Sequence, residues 1–208
     1  MLTLSKNLKV LAIGAHPDDI ELSCGGTLLK LRKEYDANIY SLVFSKGELK
    51  SDPLTRAKEQ AKAGEFLGVS ETKLLDYKDG SIFADSNLVN EIEQVVKEYQ
   101  PDLIFTHCID DVHQDHRNIG WATLSATRRK KPAILLYASL FTRDRFTPNL
   151  YIDISKHLDQ KLKLLSLFKS QGTNEYMDPE VIKAQARESG LHSGCKYAEE
   201  FYLNFWIF

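Results

Sequence analysis

The 208-residue sequence lacks the features of several protein classes. Its three cysteines are widely separated and form no Cys-x-x-Cys pair, so we expect a reducing compartment and no disulfide framework. No apolar run approaches the length of a membrane-spanning helix, and the N-terminus reads into a strand without a signal-peptide cleavage site. A net charge of −2 gives no reason to expect nucleic acid as a partner. These absences predict a cytoplasmic protein that crosses no membrane.

What is present suits a globular enzyme or binding protein. Apolar residues make up 43% and charged residues 27%, a balance typical of soluble globular proteins. The chain is long enough to bury a full core and too short for two comfortable domains, so we predict a single domain over residues 1–208. The aromatic C-terminal segment KYAEEFYLNFWIF would promote aggregation if it were exposed to solvent. We expect it to pack on the body of the protein or on another subunit, which allows for a homo-oligomer.

Short apolar runs and helical periodicities alternate along the chain. Strands are predicted at residues 10–13, 38–44, 72–76, 103–106, 133–140 and 150–154. Helices are predicted from residue 23 or 24 to 35, from Pro53 to Gly68, from Ser86 as the capping residue to 99, at about 117–129, from Ser155 as the capping residue to near Gly172, and from Pro179 to about Ser189. This order predicts an α/β, Rossmann-like fold with a mostly parallel sheet and helices on both faces.

Polar clusters follow two of the predicted strands. The segment LKVLAIGAHPDDIELSCGGTL at residues 8–28 brings His16, Asp18 and Asp19 together directly after an apolar run. A second cluster, HCIDDVHQDH at residues 107–116, follows the strand at 103–106. Because the carboxyl ends of parallel strands meet at one edge of a sheet, we expect both clusters to lie in one site.

The spacing of these residues suggests a metal centre. His16 and Asp19 are three residues apart, as are His113 and His116, and such pairs at the first turn of a helix can direct both side chains at one point. Two histidines and one carboxylate, with a position left for water, are typical of catalytic zinc. The pattern offers four candidates for three ligand positions and leaves one histidine free. The clusters also contain carboxylates whose charge a cation would offset: Asp18, Asp110, Asp111 and Asp115.

A dinucleotide-binding module is a competing interpretation, because a strand, a glycine-containing turn and a helix follow one another. The glycine spacing does not match GxGxxG. Asp18 and Asp19 stand where backbone amides would have to meet a pyrophosphate, and two carboxylates would repel it. The sequence therefore favours metal chemistry over dinucleotide binding.

The segments AHPDDIELSCGGTL and HQDHRNIG resemble the two signature motifs of the N-acetylglucosaminylphosphatidylinositol deacetylase (PIG-L/LmbE-like) family. The resemblance spans most of the chain through further positions: Gly47-Glu48, Arg56 and Glu59 followed by LGV, Asp79-Gly80, Lys161 with Ser170-Gln171, and YAEEF. It implies an LmbE-like domain and a zinc-dependent deacetylase. The implied substrate is a small molecule, an N-acetylated amino sugar of the N-acetylglucosamine type that is free or linked to a thiol, a nucleotide or a lipid.

The resemblance also implies roles for individual residues. It matches His16, Asp19 and His116 to the metal ligands and Asp18 to the general base. It matches His113 to an acid or electrophilic histidine, and Asp115 to a residue that orients His113 and favours its imidazolium form. Two residues are candidates for substrate binding: Arg56 and Glu48. Zinc is the expected cofactor, although another divalent ion could occupy such a site in the cell.

Two other functions stay open at this point. One is cleavage of a larger sugar–amide conjugate, and the other is sugar binding without catalysis on the same fold. Every catalytic position holds a competent residue type, which favours an enzyme. The family pattern usually has an acid at Ile20 and a glycine at Ser23, and the loop with Asp110 and Asp111 also departs from it. That loop bears on the identity of the substrate.

Overall fold

Strands and helices alternate along the chain. The computed structural model describes residues 6–130, 132–139, 142 and 146–205. Seven strands lie in these ranges: β1 (Lys9–Gly14), β2 (Asn38–Ser45), β3 (Glu71–Tyr77), β4 (Leu103–His107), β5 (Ala133–Tyr137), β6 (Leu150–Asp153) and β7 (Ala198–Phe205). The α-helices are α1 (Asp19–Tyr35), α2 (Pro53–Leu67), α3 (Ser86–Tyr99), α4 (Gln114–Thr127), α5 (Leu158–Leu165) and α6 (Pro179–Ser193). Two short 3-10 turns follow α5: Lys169–Gln171 and Glu175–Met177.

The strands form one sheet in the order β3-β2-β1-β4-β5-β7-β6. The pairs among β1 to β5 are parallel, whereas β7 runs antiparallel to both β5 and β6. The predicted mostly parallel α/β sheet is therefore confirmed. Because β1 and β4 are adjacent, with Val10 opposite Leu103, their carboxyl ends lie side by side at one edge.

Helices cover both faces of this sheet. Alternate side chains of a strand point to opposite faces, and those of β1 enter two different apolar clusters. Val10 and Ala12 pack in the cluster that contains side chains from α1, α2 and α5. Leu11 and Ile13 pack in the cluster that contains side chains from α3 and α4. All four side chains are fully buried, so β1 is an apolar strand in the centre of the fold.

Several boundaries differ from the sequence predictions. Helix α1 begins at Asp19 and α4 at Gln114, so both start earlier than expected. Asp85, not Ser86, caps α3, because its carboxylate accepts the N–H groups at positions 87 and 88. Ser155 does not cap α5; its hydroxyl donates to Asp153, and the helix begins at Leu158. The predicted long helix ends at Leu165, where i→i+3 bonds replace the α-helical pattern.

The C-terminal segment was predicted to pack on the body or on another subunit, and in the described residues it forms β7 within the sheet. Phe201 of β7 is fully buried, and its ring meets that of Phe105 at 5.3 Å between centroids. Residues 206–208 of that segment, and Leu140 at the end of the predicted fifth strand, lie outside the described residues. In the part of the chain that the structure describes, no helix has the length and apolar character needed to cross a bilayer.

Candidate metal and catalytic site

The residues of the first motif lie where β1 ends and α1 begins. Asp18 is the residue before the helix and has a left-handed backbone, with φ of 91°. Aspartate tolerates this conformation better than most residues, because its short polar side chain can bond locally. The His16 N–H donates to Asp19 Oδ2 at 2.7 Å, which closes the turn. The turn therefore presents His16 and Asp19 together at the edge of the sheet.

The residues of the second motif lie at the start of α4, just beyond β4. His113 is the residue before the helix, and its Nδ1 accepts the N–H of Asp115 at 3.2 Å. His116 lies one turn into the helix, and its ring stacks on that of His113 at 4.5 Å between centroids. His16 approaches both rings, at 5.1 Å from His113 and 5.5 Å from His116. The two polar clusters thus form one site, as the sheet topology predicted.

The three predicted metal ligands are neighbours around Asp19. His16 Nδ1 lies 3.5 Å from Asp19 Oδ2, and His116 Nε2 lies 3.5 Å from Asp19 Oδ1. Atoms about 2.0–2.2 Å from one tetrahedral ion lie roughly 3.3–3.6 Å from one another, so each of these two distances is compatible with a pair of zinc ligands. The two histidines face different oxygens of the same carboxylate. His113 also offers a nitrogen to this cluster, because one atom each from His16, His113 and His116 lie within 4.8 Å of one another.

Two further residues belong to the cluster although the sequence analysis gave them no role. His107 lies at the end of β4, and its Nε2 is 3.3 Å from Asp19 Oδ2. One ligand atom each from Asp19, His107 and His116 lie within 4.8 Å of one another. Asp111 Oδ2 lies 3.4 Å from His116 Nδ1. The position of His107 at a strand end could have identified it, but the spacing argument considered only pairs three residues apart.

The chemistry of these nitrogens fits a cation. Among the described residues, Nδ1 of His107 is buried without a hydrogen-bond partner, and the buried Nδ1 of His116 has only the Asp111 carboxylate near it, at 3.4 Å. Buried polar atoms without partners are uncommon in folded proteins. Imidazole nitrogens and carboxylate oxygens are the donors that zinc prefers, so the residues present fit such an ion.

Two carboxylates flank the other nitrogen of His16. Its Nε2 lies 3.0 Å from Asp79 Oδ1 and 3.2 Å from Asp115 Oδ2. Asp115 also accepts the N–H groups of Gly80 and Ile82, at 2.7 and 3.1 Å, so its carboxylate is held in this position. The carboxylate of Asp115 therefore orients His16, and only its backbone N–H contacts His113. The sequence analysis expected that carboxylate to act on His113 and gave Asp79 no role.

The adjacent Asp18 and Asp19 are in opposite electrostatic environments. Burial raises the pKa of the Asp18 carboxyl to about 7, although the Arg56 guanidinium acts in the opposite direction. Burial also disfavours the charged form of Asp19, but the neighbouring His116 and His107 outweigh it and hold the pKa of Asp19 well below its usual range. Asp19 thus stays charged, as a metal ligand must. Asp18 lies in the range that suits a proton acceptor near neutral pH.

The histidines also differ from one another. Burial alone would lower the pKa of His16, but hydrogen bonds to Asp115, Asp19 and Asp79 raise it well above 6.5. Burial, together with the nearby His116 and His16, lowers the pKa of His113 below 6.5. The charge of the Asp115 carboxylate acts in the expected direction and raises the pKa of His113, but burial and the two neighbouring histidines outweigh it. Because Nδ1 of His113 accepts the Asp115 N–H, the neutral form of this histidine carries its proton on Nε2.

The two residues proposed for substrate binding occupy different places. Arg56 is buried, and it donates to Asp18 Oδ2 at 3.1 Å and to the Pro17 carbonyl at 2.5 Å. Gly47 makes room for it, because a Cβ there would lie 3.0 Å from Arg56 Nε. Glu48 is exposed, and its carboxylate accepts the Asp79 N–H at 2.8 Å. Arg56 therefore lies beside the candidate base, and Glu48 holds the turn that carries Asp79.

A cavity of about 840 Å³ opens above these residues. This volume is within the range of small-molecule sites, about 300–1,000 Å³. It is lined by all four histidines of the cluster and by Asp18, Asp19 and Asp79. Other parts of the chain contribute the rest of the lining, including Leu49, Val112, Lys161, Tyr176, Gln185 and Glu199. The site can hold a ligand of at least sugar size against the cluster.

Comparisons with known proteins agree with this geometry. Residues 11–127 match the profile of a family described as GlcNAc-PI de-N-acetylase, PIG-L. The chain is 31% identical over 174 residues to an uncharacterized deacetylase, YaiS, of Escherichia coli, with 80% of this chain and 93% of that protein covered. It is 26% identical over an aligned length of 219 residues to the diacetylchitobiose deacetylase of Thermococcus kodakarensis, with 92% and 81% covered. Among solved structures, the conserved protein TT1542 from Thermus thermophilus superposes with a TM-score of 0.85 at 26% identity, with 97% and 96% covered.

Proposed function

The chain belongs to the GlcNAc-PI de-N-acetylase (PIG-L) family, and from this membership we propose that it is a zinc-dependent hydrolase that removes the acetyl group from a small N-acetylated amino sugar. The observation that carries the proposal is the meeting of both motifs in the lining of one cavity. The similarity to a diacetylchitobiose deacetylase supports an amino sugar as the substrate class.

The proposed metal ligands are His16, Asp19 and His116. Their donor atoms and the 3.5 Å distances of His16 Nδ1 and His116 Nε2 from the two oxygens of Asp19 support this assignment. Zinc, or another divalent ion in its place, would supply a Lewis acid that polarises the amide carbonyl and lowers the pKa of a water molecule. Asp79 and Asp115 would hold the His16 ring by its Nε2, which leaves Nδ1 to face the ion.

Asp18 and His113 are the proposed catalytic residues. Asp18 takes a proton from the attacking water as the water oxygen bonds to the acetyl carbon. Arg56 fixes the Asp18 carboxylate by one charged hydrogen bond, from Nη1 to Oδ2. His113, held through Nδ1 by the Asp115 N–H, donates from Nε2 to the oxygen that gains negative charge. The carbon–nitrogen bond then breaks, and the amine leaves with a proton from Asp18 or His113, so that acetate and a free amine are the products.

Incubation of the zinc-loaded protein with N-acetylglucosamine and N,N′-diacetylchitobiose tests the reaction. We expect equal amounts of free amine and acetate. Amine release from larger sugar amides without acetate would instead indicate an amidase of larger conjugates. Binding of the sugars without release of either product would indicate a sugar-binding protein, and both results would contradict the proposal.

Two variants test the assignment of residues. Asp18→Asn should retain zinc and lose turnover by a factor of about 100 or more, because general base catalysis contributes roughly 10²–10⁴-fold. His116→Ala should lose zinc, as measured by elemental analysis after dialysis. Unchanged turnover of Asp18→Asn would disprove the base assignment, and full metal content of His116→Ala would disprove the ligand assignment.

A further inference from the structure

A buried ion pair contacts the middle of α1, away from the cluster of histidines. Lys161 of α5 and Glu199 of β7 are both almost fully buried, and their Nζ and Oε1 atoms are 2.6 Å apart. Lys161 also donates to the carbonyl of Leu22 at 2.5 Å, while Glu199 Oε1 accepts the N–H of Gly26 at 2.9 Å. These two backbone groups are the ones that bond to each other in a regular α-helix. The ion pair therefore contacts both backbone groups of one step of the helical hydrogen-bond ladder.

The glycine pair of the first motif leaves room for these contacts between the ion pair and the backbone of α1. A Cβ at Gly26 would lie 3.0 Å from Glu199 Oε1 and 2.9 Å from Ile154 Cδ1. A Cβ at Gly25 would lie 3.1 Å from a methyl carbon of Leu164 on α5. The missing side chains allow α5 and the Glu199 carboxylate to reach the backbone of α1. The carboxylate is fully engaged, since its Oε2 accepts the Thr27 N–H at 2.7 Å.

The pair is connected to the catalytic turn by a short chain of hydrogen bonds. Lys161 holds the carbonyl of Leu22, and the N–H of Leu22 donates to the carbonyl of Asp18 at 2.8 Å. Asp18 and Asp19 lie at the start of α1, one turn before Leu22. Lys161 and Glu199 also line the same cavity as Asp18 and Asp19. The pair thus acts on the part of α1 that carries the candidate base and one candidate ligand.

We propose that Lys161 and Glu199 are positioning residues, which hold the first turn of α1 so that Asp18 and Asp19 face the histidines of α4. This inference rests on the proposed function for the roles of Asp18 and Asp19. Two buried charges are costly to desolvate, and replacing a buried ion pair by well-packed apolar residues often leaves the stability of a protein unchanged or higher. Here the pair makes four hydrogen bonds or ionic contacts to backbone and partner that apolar side chains could not make. Through these contacts the pair ties the backbone of α1 at positions 22, 26 and 27 to α5 and β7.

The test compares Glu199→Gln, Lys161→Met and the double variant with the wild type. Lys30→Met is the matched control, because Lys30 also extends from α1 to a backbone carbonyl, that of Asp153, at 2.8 Å. We expect kcat to fall about tenfold to hundredfold in the three variants with little change in KM, since small displacements of catalytic groups cost this much. We also expect the double variant to lose no more than the single ones, because they remove one shared interaction. Lys30→Met should retain the wild-type kcat.

A second readout is independent of activity. In the cobalt-substituted protein, the visible absorption spectrum reports the arrangement of the metal ligands, so it should change in the three variants and stay the same in Lys30→Met. Variants with the wild-type spectrum and kcat but a lower unfolding temperature would show a structural role alone and overturn the inference. If Glu199→Gln does not fold because Lys161 is left unpaired, the double variant, which buries no unpaired charge, decides by the same criteria. Lack of amine release by the wild type contradicts the proposed function alone, and the cobalt spectra still test the positioning role.

Discussion

Asp18 and Asp19 are adjacent and identical in type, yet the fold gives them different partners. Asp18 precedes α1 with a left-handed backbone and faces Arg56, whereas Asp19 is the first residue of the helix and faces the histidines of the cluster. Asp19 lies within 3.5 Å of nitrogens from three histidines, on both its oxygens. Asp18 has a guanidinium on Oδ2 and is buried enough to raise its pKa to about 7. The pKa values of the two neighbouring carboxyl groups are thus shifted in opposite directions, which supports the assignment of Asp19 as ligand and Asp18 as base.

Asp79 provides a test of how His16 is held. Asp79→Asn keeps the size of the side chain but removes one of the two negative charges beside His16 Nε2. Loss of such an outer partner typically costs 10–100-fold in metal affinity, and we expect a loss in that range. Competition with a zinc-binding dye measures it. Asp76→Asn is the control, because Asp76 lies in the same segment with its side chain 85% exposed. Equal zinc affinity in both variants would contradict the orienting role of Asp79.

At the scale of elements, the position of α4 depends on close contact with β4. Gly120 makes this contact, because a Cβ there would lie 2.6 Å from the carbonyl oxygen of His107. The neighbour is backbone and cannot rotate away, so α4 would have to shift. Because α4 carries His113 and His116 at its start, such a shift would also move half of the candidate site.

We therefore expect Gly120→Ala to lower the free energy of unfolding. Overpacking costs about 1–3 kcal/mol, which exceeds the gain of up to about 1 kcal/mol from alanine in a helix. Urea unfolding followed by circular dichroism measures the change. Gly172→Ala is the control, because its φ of −63° suits any residue and a Cβ there meets only one atom at 3.4 Å. Equal free energies of unfolding of the two variants would show that α4 can shift without loss of stability and would contradict the prediction.

These elements also show what a sequence can predict. The buried strands and the start of α2 at Pro53 follow from local apolar runs and capping signals, and they agree with the structure. The predicted start of α1 is too late, because the acidic residues of the DDIE segment were assigned to the polar loop before the helix. Strand β7 was not predicted as a strand, since its place is set by β5 and β6, which are distant in sequence.

The same limit applies to the site. The i, i+3 pairs and the family motifs identified residues that the structure brings together, because those signals are local. His107, Asp79 and Asp111 act through partners on other elements: Asp19, His16 and His116. No local pattern encodes such contacts, so only the folded chain shows them.

At the scale of the whole molecule, the candidate site draws on residues far apart in the chain. The loop after β1, the turn after β3, the start of α4 and α2 all contribute side chains to one cluster. Strand β7 and α5 contribute Glu199 and Lys161, which line the same cavity and contact the backbone of α1. Because the ligands converge only in the folded chain, the unfolded chain should bind metal far more weakly. Metal binding and global stability are therefore linked.

This linkage predicts that zinc raises the unfolding temperature of the metal-free protein. At about one hundred times the dissociation constant, a ligand specific to the folded state adds about 2.7 kcal/mol, which for a chain of this size is roughly 5–10 °C. Differential scanning fluorimetry of the chelator-treated protein, with and without added zinc, measures the shift. Magnesium should cause little shift, since nitrogen ligands select against it. Asp19→Asn is the matched variant, because it removes the carboxylate that two of the proposed ligands share as a neighbour. An equal zinc shift in Asp19→Asn would place the stabilising ion elsewhere and contradict the proposed metal centre.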